Sequence, residues 1–194
     1  TGDGFMNHYK KRKAYLIEIS GNKLKDENYL KEFVSNTVAD LFNMKPAFYS
    51  IKDHNTICLV IRSKIILNFL KEQGFPLGRK GEIIPPSWII KNNLFFRRFI
   101  RGFFDTDGYL YLKNKEGKRY PVIGLSSKSK SLLTAIQQFL IDAGITSYLG
   151  SYRSNGSLRY KKEWIVYKLQ ISGKNNMHLF FNEIGSCNLR NQIK

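Results

Sequence analysis

The stretch from Phe95 to Tyr111 constrains the fold of this chain more than any other. Its apolar side chains recur at the i, i+3, i+4 spacing of one helix face, and its arginines lie off that face. Gly102 falls inside the predicted helix, where glycine costs about 1 kcal/mol relative to alanine. We therefore expect another backbone to pass close to Gly102.

The predicted helix ends in Asp105-Thr106-Asp107-Gly108, and a strand pattern begins directly afterwards. Carboxylates at the C-terminal end of a helix are repelled by the helix dipole, and a bound cation would remove that repulsion. Asp107 has two interpretations, a metal ligand or a turn residue, since Asp-Gly is common in turns. Asp105 fits a structural role better.

The charge balance indicates a polyanionic partner. Lys and Arg number 32 against 15 Asp and Glu, which gives a net charge of +17 over 194 residues. Nucleic acid is the first candidate and an acidic membrane surface the second. The length allows one large domain or two small ones with a proper core.

The remaining composition points to the cell interior. Cys58 and Cys187 lie in unlike contexts and fit neither a disulfide framework nor a zinc site. We find neither a long apolar run nor a signal peptide in the sequence. We expect a soluble intracellular protein.

An order of elements occurs twice along the chain: helix, two strands, helix, two strands, helix. Gly2-Asp3-Gly4 matches Thr106-Asp107-Gly108, and the segment 58–63 matches 168–173. In this register the first copy lacks its opening helix. We expect that helix upstream of Thr1; without it, two chains could pair through their 95–107 helices.

The residues from Ile100 to Gly108 resemble the LAGLIDADG motif of homing endonucleases, including the interior Gly, both Asp and the final Gly. The resemblance implies an α+β fold of two pseudo-symmetric αββαββα halves, each with a curved antiparallel DNA-binding sheet. The expected halves are 1–74 and 94–194. The expected linker is 75–93, and 79–89 resembles the linker of archaeal or intein-type single-chain members. This resemblance implies a protein of the prokaryotic cytoplasm or nucleoid, with an archaeal source as the first choice.

The resemblance also implies catalytic residues. The second acid of each motif is Asp107 or, in the shorter match, Asp3, and each would lie near a scissile phosphate. Two or more divalent ions, Mg2+ with Mn2+ as a substitute, would be held by these acids. Carboxylates suit such hard cations. The carbonyls of Gly2 and Thr106 are the expected further ligands.

The family also places a basic residue after the last helix of each half and polar residues at the end of each second strand. Lys80 and Arg190 match the first feature, and Arg190 is the weaker candidate because arginine does not exchange protons near neutral pH. Gly21-Asn22 and Ser127-Lys128 match the second feature. Since the halves differ, we expect an asymmetric site and an asymmetric target.

Strand residues at alternate positions share a face, and the resemblance places the face after each acid on DNA. The aromatic side chains there have a second interpretation, as core residues, and the basic ones could be merely solvated. The candidate DNA contacts are Asn7, Lys10, Lys11, Arg12, Lys13, Tyr109, Tyr111, Lys113, Lys115, Lys118, Arg119, Arg153, Arg159, Lys161 and Lys162.

The sequence therefore predicts a monomeric, Mg2+-dependent hydrolase, a homing endonuclease that cleaves both strands of a long duplex DNA target. Two alternatives stay open on the same scaffold, an intron RNA maturase and a non-cleaving DNA-binding regulator. The sequence does not distinguish an intron, an intein or a free-standing gene as the host element.

Overall fold

The structure is a computed structural model that describes residues 3–51, 54–78, 81–154 and 163–191. The chain divides into two compact units. Unit 1 comprises Thr1–Lys80 and Cys187–Lys194, and unit 2 comprises Gly81–Ser186. None of the described helices is both long and apolar enough to cross a membrane.

Unit 1 contains a four-stranded antiparallel sheet and a helical layer. A 3-10 turn at Lys10–Arg12 joins the first two strands. A π-helical stretch, Tyr29–Val34, connects two α-helices into one continuous helical segment. The elements are β1 (Gly4–Tyr9), β2 (Ala14–Asn22), α1 (Lys23–Asn28), α2 (Ser35–Phe42), β3 (Ala47–Ile51), β4 (Thr56–Ile61) and α3 (Lys64–Glu72). The strand order is β1-β2-β4-β3.

Unit 2 repeats this arrangement behind a leading helix. Its elements are α4 (Ser87–Ile90), α5 (Asn93–Asp107), β5 (Gly108–Lys115), β6 (Lys118–Ser127), α6 (Lys130–Asp142), β7 (Tyr148–Ser154), β8 (Trp164–Ser172) and α7 (Lys174–Glu183). The strand order is β5-β6-β8-β7, the same as in unit 1. The predicted α+β class and the internal repeat are therefore confirmed.

The register of unit 2 gives its sheet one apolar and one polar face. Leu110 pairs with Ile123, which pairs with Ile171 on the next strand, and these side chains share the face toward α6 and α7. Ile123 and Ile171 are buried. Because strand side chains alternate, Tyr109 and Tyr111 lie on the opposite face.

Unit 1 is built in the same way. Met6, Ile17, Leu59 and Ile61 form a buried cluster with the apolar side of α3. The intervening residues of β1 and β2, among them Asn7, therefore point to the other face of the sheet.

Two glycines around the end of α5 behave differently from expectation. A Cβ built at Gly102 meets no atom within 4 Å, so no described residue makes the close approach that its position suggested. At Gly108 a Cβ would lie 2.1 Å from Phe104 Cδ2 and 2.4 Å from the Phe104 carbonyl oxygen. Gly108, where helix becomes strand, is thus the position that excludes a side chain.

This contrast predicts opposite effects of alanine at the two glycines. Gly102→Ala should raise the free energy of unfolding by about 1 kcal/mol, because alanine is the better helix former. Gly108→Ala should lower it by about 1–3 kcal/mol, because Phe104 must move from its packed position. Urea denaturation of both variants, followed by circular dichroism, checks the pair. A destabilised Gly102→Ala protein would mean that another backbone does reach this helix face.

Candidate functional site

Asp107 occupies the last turn of α5, one residue before β5. The Asn92 side chain caps the start of this helix by accepting from Phe95 N at 3.1 Å, and Gly108 N closes its end on the Phe104 carbonyl. Thr106 Oγ1 donates back to the Gly102 carbonyl at 3.1 Å and lies 3.5 Å from Asp107 Oδ2. The Thr106 hydroxyl is thus hydrogen-bonded within the helix. Its main-chain carbonyl lies in the last turn, where the carbonyl groups have no intrahelical N–H partner.

Asp105, the other acid of the motif, is a buried structural group. Its side chain is 1% exposed and accepts a hydrogen bond from Ser186 Oγ at 2.5 Å. Arg101, on the same helix, donates from Nε to the Ile184 carbonyl. Both contacts fasten α5 to the segment after α7, as the structural interpretation of Asp105 anticipated.

Asp3, the acid of unit 1, is exposed beside a pocket of about 320 Å³. Its carbonyl oxygen accepts from Ser20 N at 3.4 Å, which places the residue next to the end of β2. The pocket is lined by polar residues from β2, α1, the start of β4 and the chain end: Asp3, Ser20, Gly21, Asn22, Asp26, Asn55, Thr56 and Arg190.

The buried carboxylate of Asp26 organises this pocket. It is 4% exposed and accepts from Asn22 N at 2.8 Å, from Asn188 Nδ2 at 2.8 Å and from Arg190 Nη1 at 3.0 Å. The carboxylate thereby holds the Arg190 guanidinium in the pocket that Asp3 lines. Sequence reasoning did not identify Asp26 as a site residue; its position four residues after the capping Asn22 is the signal that could have found it.

Asn22, one of the predicted polar residues, is occupied as a helix cap. Its Oδ1 accepts from Leu24 N at 3.0 Å and from Lys25 N at 3.2 Å, which satisfies amides of the first turn of α1. Gly21 lies beside it against Asp26, where a Cβ would come within 2.9 Å of Asp26 Cβ. The end of β2 is therefore a tightly packed part of the pocket wall.

The matching end of β6 has different chemistry. Ser127 Oγ accepts from Ser129 N at 3.1 Å. The Lys128 ammonium lies 3.9 Å from the centroid of the Trp164 ring, a cation–π contact that places an exposed positive charge beside this strand end. The strand end in unit 2 thus carries a lysine where the matching end of β2 carries the capping Asn22.

The segment that follows α3 is anchored at the start of α6. Ser129 Oγ donates to the Ile83 carbonyl at 2.7 Å, and Glu82 accepts from Ser131 N at 2.7 Å. That backbone hydrogen bond is the main cause of a lowered Glu82 pKa. In unit 1 the segment at Asn188 and Arg190 meets α1 in the corresponding place.

The basic candidates of the strand connections are exposed. Lys10 to Lys13 form the β1–β2 connection, and Lys115 and Lys118 flank the two-residue β5–β6 turn at Glu116 and Gly117. Both turn residues have positive φ, 51° and 74°, as a type I′ hairpin requires. Lys113, Arg119 and Arg153 are exposed on β5, β6 and β7. Gly2, Lys80, Arg159, Lys161 and Lys162 lie outside the described residues.

The polar face of the unit 2 sheet contains two residues that sequence reasoning missed. Lys168 and Gln170 lie on β8 beside Tyr109 and Tyr111, and the Gln170 amide donates to the Tyr111 hydroxyl. Gly124 leaves room for the Tyr109 ring, since a Cβ there would lie 2.3 Å from Tyr109 Cζ. The alternation of Lys168 and Gln170 with Leu169 and Ile171 was the signal that would have found them.

The carboxylate and carbonyl oxygens at Asp3 and Asp107 suit a hard divalent cation that takes its remaining oxygen ligands from a substrate. No group of three or more His, Cys, Asp or Glu in the described ranges is placed to hold a metal by itself. Mg2+ is commonly held by only one or two carboxylates together with substrate phosphates and water. Asp107, with the carbonyl end of α5 beside it, provides ligands of that kind.

Comparison with known families agrees with this geometry. Residues 95–185 match the family model of the LAGLIDADG-like domain. The match begins on the apolar face of α5, includes Asp105 and Asp107, and ends two residues after α7. Unit 2 is thus the part of the chain that the family model recognises.

Solved structures extend the likeness to both units. A variant of the homing endonuclease I-DmoI superposes with a TM-score of 0.61 at 20% identity, covering 95% of this chain and 89% of that one. I-DmoI in complex with DNA and Mn gives a TM-score of 0.59 at 20% identity over 96% and 90% of the two chains. The LAGLIDADG homing endonuclease I-LtrWI, bound to its target DNA, gives 0.58 at 13% identity over 97% and 82%.

Two curated proteins share sequence with the chain. The glutamine–fructose-6-phosphate aminotransferase of Methanocaldococcus jannaschii is 32% identical over 171 residues, covering 84% of this chain and 14% of that protein. The tRNA-splicing ligase RtcB of Methanopyrus kandleri is 29% identical over 131 residues, covering 66% and 13%. The chain spans about a seventh of the length of each.

Residues 95–185 therefore form a LAGLIDADG-like domain, and the two units share the fold of the single-chain LAGLIDADG homing endonucleases.

The Asp26 cluster predicts a large loss of stability when its charge is removed. Asp26→Asn should lower the free energy of unfolding by about 3 kcal/mol, because it leaves the Arg190 guanidinium without its buried counter-charge. Chemical denaturation measures this. An equal loss in Asp26→Asn and in the double variant with Arg190→Gln is expected, since the two groups act as a pair. Additive losses would show that Arg190 is not held by Asp26.

Proposed function

We propose that this chain is a site-specific homing endonuclease that cleaves both strands of a long, asymmetric duplex DNA by metal-dependent phosphodiester hydrolysis. One observation carries the proposal: in each unit an acid directly precedes the first strand of a four-stranded sheet, Asp3 before β1 and Asp107 before β5. The sheet supplies a broad polar face for a duplex, and the acid stands at its end.

Asp3 and Asp107 are the proposed metal-holding acids, with the Thr106 and Gly2 carbonyls as further ligands. A bound Mg2+ or Mn2+ would neutralise phosphate charge and lower the pKa of the attacking water. The carboxylates orient that water near the scissile phosphate. I-DmoI structures contain DNA with Mn and DNA with Ca, which supports divalent-metal use in this fold.

The positive side chains in the Asp3 pocket of unit 1 and at the matching strand end of unit 2 have a separate role. In unit 1, Arg190 is held by Asp26 in the pocket of Asp3, where its planar guanidinium can bind a phosphate through two N–H groups. In unit 2, Lys128 occupies the corresponding strand end. We propose that both stabilise the extra negative charge that develops on the phosphate during hydrolysis, and that Lys80 does the same.

The polar sheet faces and the basic turns are the proposed duplex-binding surface. The net charge of +17 provides attraction to the phosphate backbone. Lysines and arginines at the turns reach phosphates and fix the register, while side chains in the middle of the strands reach base edges. We propose that the protein acts as a monomer in the cytoplasm or nucleoid.

The curated relatives suggest the genetic setting. An aminotransferase and an RNA ligase are unrelated enzymes by name, yet the chain matches a segment of each. A similar segment in two otherwise different enzymes is expected when the segment is a module inserted into host proteins. We therefore propose an intein-like setting, with the endonuclease carried inside a larger host protein.

The two acids predict loss of cleavage without loss of binding. Asp107→Asn and Asp3→Asn should each reduce Mg2+-dependent double-strand cleavage of the selected target at least a hundredfold, because an amide neither carries the metal's counter-charge nor activates water. Cleavage on gels and binding by mobility shift in Ca2+ measure the two properties separately. Asp40→Asn makes the same change on the exposed surface of α2 and should cleave normally.

Retained cleavage in Asp107→Asn would contradict the site assignment. Tight binding to intron RNA without DNA cleavage by the unaltered protein would instead favour the maturase. Sequence-specific DNA binding without cleavage in any divalent metal would favour the regulator.

The basic turns predict a steep salt dependence of binding. With about six phosphate contacts, affinity should fall about a thousandfold between 50 and 200 mM salt. Lys115→Gln and Lys118→Gln should each weaken binding for every sequence and reduce the slope of log affinity against log salt by about one. Fluorescence anisotropy on a labelled duplex measures this. Unchanged slopes would remove the β5–β6 turn from the interface.

A further inference from the structure

Lys168 is the cationic side chain of β8, an inner strand of the unit 2 sheet. It pairs with Ser126 on β6 and with Gly150 on β7, so strands flank it on both sides. The side chain is half-buried and lies on the face opposite the core, because its neighbour Leu169 is fully buried. Its position thus differs from that of the exposed lysines in the turns.

Two tyrosines restrict where the Lys168 ammonium can go. Nζ lies 5.5 Å from the centroid of the Tyr109 ring and 5.1 Å from that of Tyr111. The rings are themselves fixed: the Tyr109 hydroxyl lies 3.3 Å from Ser126 Oγ, and the Tyr111 hydroxyl accepts from Gln170. A lysine held in this way loses less side-chain entropy on binding than one in solvent.

The same contacts keep the ammonium charged. Burial alone would lower the pKa of Lys168, but its hydrogen bond to Tyr109 and the electrostatics of the neighbouring tyrosines outweigh burial and raise the pKa. The group therefore presents N–H donors and a full positive charge at neutral pH.

Unit 1 has a different side chain at each of these positions. The internal repeat matches Lys168 with Cys58 and Gln170 with Val60, and both unit 1 side chains are buried. Where unit 2 has Gly124 under the Tyr109 ring, unit 1 has Glu18, which accepts from the Tyr49 hydroxyl at 2.7 Å. The tyrosine-supported lysine is thus a feature of one unit and not a requirement of the fold.

We propose that Lys168 is a specificity-determining residue that reads a guanine in the major groove of the half-site bound by unit 2. The proposal rests on the proposed function, because it needs a duplex on this sheet face. Guanine presents two acceptors, N7 and O6, in the major groove, and lysine is one of the two side chains that most often bind them. A fixed donor in the middle of a sheet reaches base edges, whereas the turn lysines at its rim reach phosphates.

The test is selection of cleaved sites from a randomised duplex library, with the unaltered protein and with Lys168→Met. Methionine keeps an unbranched apolar side chain that is one atom shorter, and it removes the donors and the charge. The unaltered protein should prefer guanine at one position of the unit 2 half-site by roughly 5- to 150-fold over other bases. In Lys168→Met that preference should disappear, with the remaining positions unchanged.

A second variant should change which base is preferred, a result that misfolding cannot produce. Glutamine binds adenine through its N7 and N6 groups. Lys168→Gln should therefore change the preferred base at that one position from guanine to adenine. Lys174→Met serves as the matched control, since it removes an exposed lysine at the start of α7, on the other side of the sheet.

Equal weakening for all sequences in Lys168→Met, with the guanine preference intact, would overturn the proposal and make Lys168 a phosphate contact. A preference that is unaltered in both variants would overturn it as well. Failure of the unaltered protein to cleave or bind any duplex would refute the proposed function itself, a result distinct from either of these.

Discussion

The junction between α5 and β5 is the constraint on which the account of this protein depends. Phe104 packs so tightly against Gly108 that no side chain fits there, and the chain passes from helix to strand without a loop. Asp107 is therefore fixed at the carbonyl end of a helix and at the start of a sheet. Its electrostatically unfavourable position is explained if the carboxylate holds a cation.

The two acids stand in different surroundings, although the units repeat one fold. The Asp3 pocket contains a buried carboxylate, Asp26, that holds an arginine. In unit 2 the corresponding strand end has Lys128 against Trp164. The different groups at the two strand ends, and the different side chains on the two sheet faces, fit the asymmetric duplex target that we propose.

Periodic patterns explain how much of this could be predicted from sequence. The apolar run of β4, the alternation in β8 and the helical spacing in α5 and α6 predict the order of elements, because burial of apolar side chains is the dominant local demand. Asp26 was not predicted as a site residue, because its partners Asn188 and Arg190 are distant in sequence. Lys168 was missed because its environment depends on strand pairing, which places Tyr109 and Tyr111 beside it.

The most direct test of the central claim is selection of cleaved sites from a randomised duplex library in Mg2+, with a parallel selection in Ca2+ for bound duplexes. One long, asymmetric consensus that is cut in both strands is expected in Mg2+. Recovery of no cleaved sequence, together with binding that shows no base preference, would contradict it.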